Sequence, residues 1–171
     1  SERQFLDYVK KMNAYSEALS LIYWDLRTGA PKKGVEQRSE VIGVLSSERF
    51  QMSISEEMAS YIAKLSNESD ISEITRKTLE ECRKEYNRNR KIPADEYKAY
   101  VILQTKAESV WEEAKEKSDF EMFRPYLEKL VSTNKKFIQY WGYEGNKYNT
   151  LIDMYEPGVT VEMLDNVFSD L

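Results

Sequence analysis

The chain has 171 residues, 41% of them hydrophobic, enough for one ordinary domain with its own core. It holds no histidine and a single cysteine, Cys82, which excludes Ser-His-Asp and Cys-His catalysis, zinc fingers and histidine-ligated metal sites within these residues, and any internal disulfide. The net charge of −5 repels phosphate backbones and anionic lipid, so neither nucleic acid nor a membrane surface is an expected partner.

Only six glycines and four prolines punctuate the chain while charged residues reach 32%, a composition of long helices. Phe5, Val9, Met12, Tyr15, Leu19 and Ile22 recur at three and four residues, which predicts a helix from about Glu2 to Trp24. The stretch from Arg27 to Gly34 carries two glycines and Pro31 and reads as a loop. Val35, Ile42, Leu45 and Phe50 mark a second helix, and Ser53 is expected to open a third, with Glu56 as its capping-box partner before Met58, Ile62 and Leu65. Ser66–Asp70 is a polar loop, after which Ser72 is the expected cap of a helix carrying Ile74, Leu79, Cys82 and Tyr86. Cys82 there reads as a small core hydrophobe, and the basic run Arg83–Lys91 as the solvated end of that helix, where cations favour the macrodipole.

Pro93 suits the start of a helix marked by Tyr97, Tyr100, Val101, Ala107, Trp111 and Ala114 and ending near Lys117. Asp119 is expected to begin a short turn holding Phe120 and Phe123, with Pro125 as the first position of a helix through Leu127, Leu130, Val131, Phe137, Ile138 and Trp141. Asn134 interrupts that seam and reads as a hydrogen-bonded polar residue between helices. Gly142 and Gly145 stop the helix, and Thr160 caps a last one. Nothing alternates like a strand, so the expectation is all-α, a multi-helix bundle of six or more helices. No apolar run approaches the ~20 residues of a membrane span, and no basic-then-apolar stretch opens the chain, which favours a cytoplasmic, reducing location. Closing on Val167-Phe168-Ser169-Asp170-Leu171 inside an amphipathic pattern, the chain reads as a fragment.

Two segments combine aromatic, acidic and turn residues beyond what helix packing requires. In Tyr23-Trp24-Asp25-Leu26-Arg27-Thr28-Gly29-Ala30-Pro31, Asp25 and Thr28 suit bracing of a loop through backbone amides, in a helix-to-loop corner pinned by a buried Trp24. In the run from Tyr148 to Thr160, Asp153 and Glu156 stand three apart and Pro157 pushes Glu156 out of the helical region. Such a pair suits acid–base work or a hard cation, and equally a plain structural turn.

The pattern Tyr-Trp-Asp-x-x-Thr-x-x-Pro at residues 23 to 31, then Ser118-Asp119-Phe120-x-x-Phe123-x-Pro125-x-Leu127, then Tyr148-x-x-Leu151-x-Asp153-x-Tyr155-Glu156-Pro157-Gly158-x-Thr160, resembles the amino-terminal part of the carboxypeptidase Taq family of thermostable metallocarboxypeptidases. The resemblance spans essentially the whole chain, with three motifs in order at matching intervals. It implies the amino-terminal portion of a larger helical metallopeptidase that removes residues singly from the free carboxyl end of peptides, as a cytoplasmic homodimer. It implies a divalent metal, zinc, held by an HExxH helix and a downstream glutamate. Those ligands fall outside residues 1–171, so the resemblance assigns no catalytic residue and no metal ligand here, and Tyr23 stands where many members carry histidine.

On this reading residues 1–171 form one helical region that stops before the metal helix, and the isolated chain is inactive. Tyr148, Asp153, Tyr155 and Glu156 are the candidates for lining the substrate cleft, against a structural corner in which Asp153 caps a helix and Glu156 is solvated. The alternative is a non-catalytic helical interaction module that shares these corner motifs.

Overall fold

A computed structural model describes residues 2–169 and Leu171. Among them are eight α-helices, a 3-10 turn at Lys32–Gly34 and no strand, as the composition predicts. The helices are α1 (Glu2–Thr28), α2 (Val35–Ser53), α3 (Glu56–Leu65), α4 (Glu73–Asn89), α5 (Ala94–Lys117), α6 (Phe120–Trp141), α7 (Asn149–Ile152) and α8 (Val161–Ser169). Asp170 lies outside the described residues.

Several boundaries differ from the expectations. Helix α1 continues four residues past Trp24, because no breaker precedes Gly29 and the Thr28 hydroxyl bonds back to the Trp24 carbonyl at 2.7 Å. Ser55, not Ser53, caps α3, its hydroxyl accepting the Met58 N–H at 3.0 Å; Ser53 is buried in the last turn of α2 and bonds the Phe50 carbonyl. Met58 at the third helical position is 1% exposed, so the cap works without an acidic partner there. Ser72 caps α4 as expected, but Ile74 is 75% exposed and Thr75 takes the buried position. Trp111 lies on the exposed side of α5, beneath the Lys115 ammonium at 5.2 Å. Helix α5 ends as expected, through Ser118 in the left-handed region (φ 53). No turn intervenes before α6: Asp119 accepts the Met122 N–H at 3.2 Å and the helix opens at Phe120, leaving Pro125 inside it at the loss of one backbone bond.

The molecule groups into two compact units, one reaching to Leu130 and the other Val131–Leu171. In the first, α2 is the central helix. Tyr8, Ser16 and Asp25 of α1 meet Met52, Arg49 and Arg38 of α2, so the two run antiparallel. Helix α5 also lies antiparallel to α2, and packs beside α1 as well: Tyr97 stacks on Phe50 with centroids 4.1 Å apart, and Lys106 pairs with Glu36 and Glu40. The α2 face between them is small, with Ser39, Gly43 and Ser46 buried beside Ile42 and Phe50. A methyl group on Gly43 would stand 2.6 Å from Ile102 Cγ1 and 2.8 Å from its Cδ1, so glycine is what lets α5 approach this closely. Leu19, Ile42 and Val101 form one core cluster, and Phe5, Met12, Met58, Leu65 and Leu79 join α1, α3 and α4 in another. Each such side chain contributes about 1.5–3 kcal/mol by leaving water.

A polar network links three helices of this unit. Arg49 Nε donates to Ser16 Oγ at 2.8 Å and its Nη1 to Glu85 Oε1 at 2.6 Å, while Asn89 Nδ2 donates to the buried Ser53 Oγ at 2.9 Å. At the unit's edge the Glu2 carboxylate accepts from the Ser72 N–H and from the hydroxyls of Ser72 and Thr75. These bonds favour the charged carboxylate and hold its pKa below the ordinary value, Thr75 contributing most. In the second unit Phe137 and Ile138 are buried, with Trp141 edge-on to Phe137. Gly142 ends α6 at φ 83, where a side chain would be strained. Asn134, on this part of α6, is half-buried.

Candidate functional site

The first segment singled out by sequence is the end of α1. Its corner is braced by Asp25, though through the main chain: the N–H groups of Gly29 and Ala30 both donate to the Asp25 carbonyl, at 2.9 and 2.8 Å. The carboxylate that was expected to bond those amides instead faces Arg38 of α2, an ion pair at 2.8 Å without hydrogen-bond alignment. Thr28 likewise donates to a carbonyl and accepts no backbone amide. Trp24 does not pin the corner from within, because it is 70% exposed. The cause is common to all three: the helix runs through these residues, so their side chains take helical directions.

Beside this corner lies a depression of about 20 Å³, room for about one water, lined by Tyr23, Leu26, Val35, Thr105 and Ser109 together with Arg27, Glu108 and Glu112. Arg27 forms ion pairs with both Glu108 and Glu112, and Lys32 pairs with Glu116 at 3.6 Å. These contacts clasp the end of α1 to α5. Arg27 was not singled out in the sequence, although Glu108, Glu112 and Glu116 repeat every four residues and so mark one acidic stripe on α5 that calls for cations opposite. No nucleophile is paired with a base here, and the arrangement is a structural clasp.

The second segment belongs to the unit Val131–Leu171. Helix α7 is a single turn beginning at Asn149, with Asp153 at its end. The Asp153 carboxylate accepts the Gly158 N–H at 2.9 Å, and the Glu156 carbonyl accepts the Val159 N–H at 3.1 Å. Pro157 and Gly158 (φ 86) occupy the middle of that turn, the type II arrangement in which the second central residue must tolerate a positive φ. Thr160 then caps α8 through the Met163 N–H at 3.3 Å, and Asn149 Oδ1 accepts the Val161 N–H at 2.8 Å, joining the first residues of α7 and α8. Tyr148 is 58% exposed and Tyr155 84%, and the side chains of Asp153 and Glu156 are exposed. The four candidates therefore share one short surface segment. Asp153 is engaged by its own turn, and the exposed tip carries Tyr155 and Glu156.

The residues present do not fit a catalytic metal. The chain has no imidazole, and no group of three Cys, Asp or Glu able to hold an ion occurs among the described residues. Cys82 packs half-buried against the Phe5 cluster, where burial pushes its thiol up to about 11, the wrong direction for a thiolate ligand. Among the described residues no helix is long and apolar enough to cross a membrane.

The sequence profile of a family described as carboxypeptidase Taq (M32) metallopeptidase matches residues 4–171. Carboxypeptidase 1 of Bacillus subtilis is 52% identical over 171 residues, covering 99% of this chain and 34% of that protein. Thermostable carboxypeptidase 1 of Pyrococcus furiosus is 29% identical over 169 residues, again 34% of its length. Among solved structures, one named BsuCP superposes at a TM-score of 0.96 with 52% identity, covering 99% of this chain and 34% of that one. The Pyrococcus furiosus carboxypeptidase superposes at 0.78 with 28% identity, covering 98% and 34%. The chain thus spans about a third of the length of the relatives it matches.

Proposed function

The chain belongs to the carboxypeptidase Taq (M32) metallopeptidase family, and from that premise we propose that its residues form the amino-terminal helical segment of a metal-dependent carboxypeptidase, ahead of the metal-binding helix. The observation that carries this reading is the 52% identity to a Bacillus carboxypeptidase along the whole chain. The complete enzyme releases carboxyl-terminal amino acids from peptides as a cytoplasmic homodimer, with a divalent metal, zinc, bound by residues outside this segment. Since the residues here do not fit a metal, the segment's part in the reaction is to bind and to exclude water.

Its contribution is one wall of the peptide cleft, formed by Tyr148, Asp153, Tyr155 and Glu156. Support comes from a main chain fixed by hydrogen bonds that carries exposed aromatic and acidic side chains, the combination that grips an extended peptide at little entropic cost. The purified segment is inactive by itself.

Kinetics of the complete enzyme test the reading. Tyr155→Phe and Glu156→Gln keep shape while deleting a hydroxyl or a charge, and each is expected to lower kcat/KM about tenfold, ~1.4 kcal/mol, with Tm nearly unchanged. Early melting with wild-type kcat/KM at low temperature would reduce the segment to a structural corner. Metal-dependent release of amino acids by residues 1–171 alone would overturn the assignment of catalysis elsewhere. A complete polypeptide that binds peptides but never cleaves them would support a helical interaction module instead.

A further inference from the structure

In the turn between α7 and α8 the apolar residues Met154 and Val159 are only half-buried, and the main chain is tied by polar contacts. Tyr155, its largest side chain, is 84% exposed and contributes almost nothing to burial. The main chain around it is nonetheless fixed by hydrogen bonds: the Tyr155 and Glu156 N–H groups to the Ile152 carbonyl, Asp153 to the Gly158 N–H, the Glu156 carbonyl to the Val159 N–H, Thr160 to the Met163 N–H, and Asn149 to the Val161 N–H. All but the last join residues no more than five apart and set only local shape. The Asn149 bond spans 12 residues and closes the whole segment, fastening the start of α7 to the start of α8. Because it satisfies one of the orphan N–H groups of α8, its loss frees both the loop's base and the helix end.

We infer that Asn149 is a positioning residue for the peptide cleft: its amide oxygen sets where the Tyr155–Glu156 tip meets an extended peptide substrate. This rests on the cleft reading above. A buttress of this kind acts on substrate affinity, because a tip displaced by about 1 Å no longer contacts the bound peptide while the reacting groups elsewhere are untouched. An oxygen acceptor is the requirement, so aspartate is able to replace asparagine and leucine is not.

The test uses the complete metalloenzyme and a peptide substrate, with Asn149→Leu, Asn149→Asp and Tyr155→Ala measured side by side. Asn149→Leu is expected to raise KM about tenfold with kcat within about twofold, Asn149→Asp to restore KM, and Tyr155→Ala to raise KM at least as much as Asn149→Leu. Hydrogen exchange on the same proteins gives a readout free of activity: the Val161 amide loses protection in Asn149→Leu and keeps it in Asn149→Asp. A wild-type KM in Asn149→Leu, beside a raised KM in Tyr155→Ala, overturns the role of Asn149 and leaves the cleft reading standing. Unchanged KM in both overturns the cleft reading itself. If Asn149→Leu lowers Tm and kcat together, or if aspartate fails to rescue, the residue is merely structural and the inference is wrong.

Discussion

Replacing Gly43 by alanine sets two effects of known sign against each other. In an open helix the change is stabilising by about 1 kcal/mol, because glycine is the poorer helix former. At this position the new methyl would stand 2.6 Å from Ile102 Cγ1 and 2.8 Å from Cδ1, both inside the distance that real side chains tolerate. Since Cγ1 sits next to the Ile102 backbone, relief requires a change of rotamer or a wider α2–α5 separation, and overpacking of this kind costs about 1–3 kcal/mol. Steric cost wins by about 1 kcal/mol, equivalent to a Tm lowered by roughly 2–4 °C in a chain of this size. Urea denaturation of Gly43→Ala, Ile102→Ala and the double variant completes the cycle. With Ile102 cut back to alanine the obstruction is gone, and Gly43→Ala is expected to be stabilising by about 1 kcal/mol, a coupling of about 2 kcal/mol. A Gly43→Ala single variant as stable as the parent, with no coupling, would refute the close approach of the two helices.

The Arg27 clasp is half-exposed, so Arg27→Met is expected to cost no more than about 1 kcal/mol, and the cost should shrink in 1 M salt; a larger loss that ignores salt would mean the aliphatic stem matters more than the charge. Cys82, with its thiol pushed up to about 11, should resist a thiol-directed disulfide reagent at pH 8 and react at once in denaturant, which ordinary spectrophotometry records. Glu2 is more acidic folded than unfolded, so its contribution is present above the ordinary value of 4.5 and lost as pH falls through the lowered one. The stability gap between the wild type and Glu2→Gln should therefore be constant near neutral pH and close in acid, and a gap that persists at pH 2 would contradict the charged cap.

Helix positions were legible wherever apolar residues kept a three-four spacing, as in Phe5, Met12 and Leu19 of α1, all of which are buried. Ends were harder, because two serines separated by one residue compete as caps. Ser53 and Ser55 differ in which one has a free amide three residues ahead, a matter settled by where α2 stops. Trp24 misled because its size suggests a core anchor, while its place on α1 turns the indole outward. The Tyr148–Thr160 segment stood out through Pro157, Gly158 and Thr160, whose local roles the structure bears out as turn and cap. The Asn149 bond to Val161 was invisible, since nothing in a sequence marks which asparagine reaches a helix start 12 residues away. The Arg27 clasp spans more than 80 residues, and only the acidic repeat on α5 hinted at it.

The glycine face of α2 has a further consequence at the ribosome. Gly43 is made 59 residues before the Ile102 that covers it, which at roughly 5–20 residues per second is a delay of roughly 3–12 s. Helices form in about a microsecond, so α1 and α2 are able to pair as a hairpin while α3 and α4 are still being synthesised. Throughout that interval the face awaiting α5 presents Ser39, Gly43 and Ser46 beside the apolar Ile42 and Phe50. Small and hydroxylated side chains break that apolar surface into two separate spots, so the same residues that permit tight packing in the finished molecule give a passing hydrophobic chain less to hold before the partner arrives.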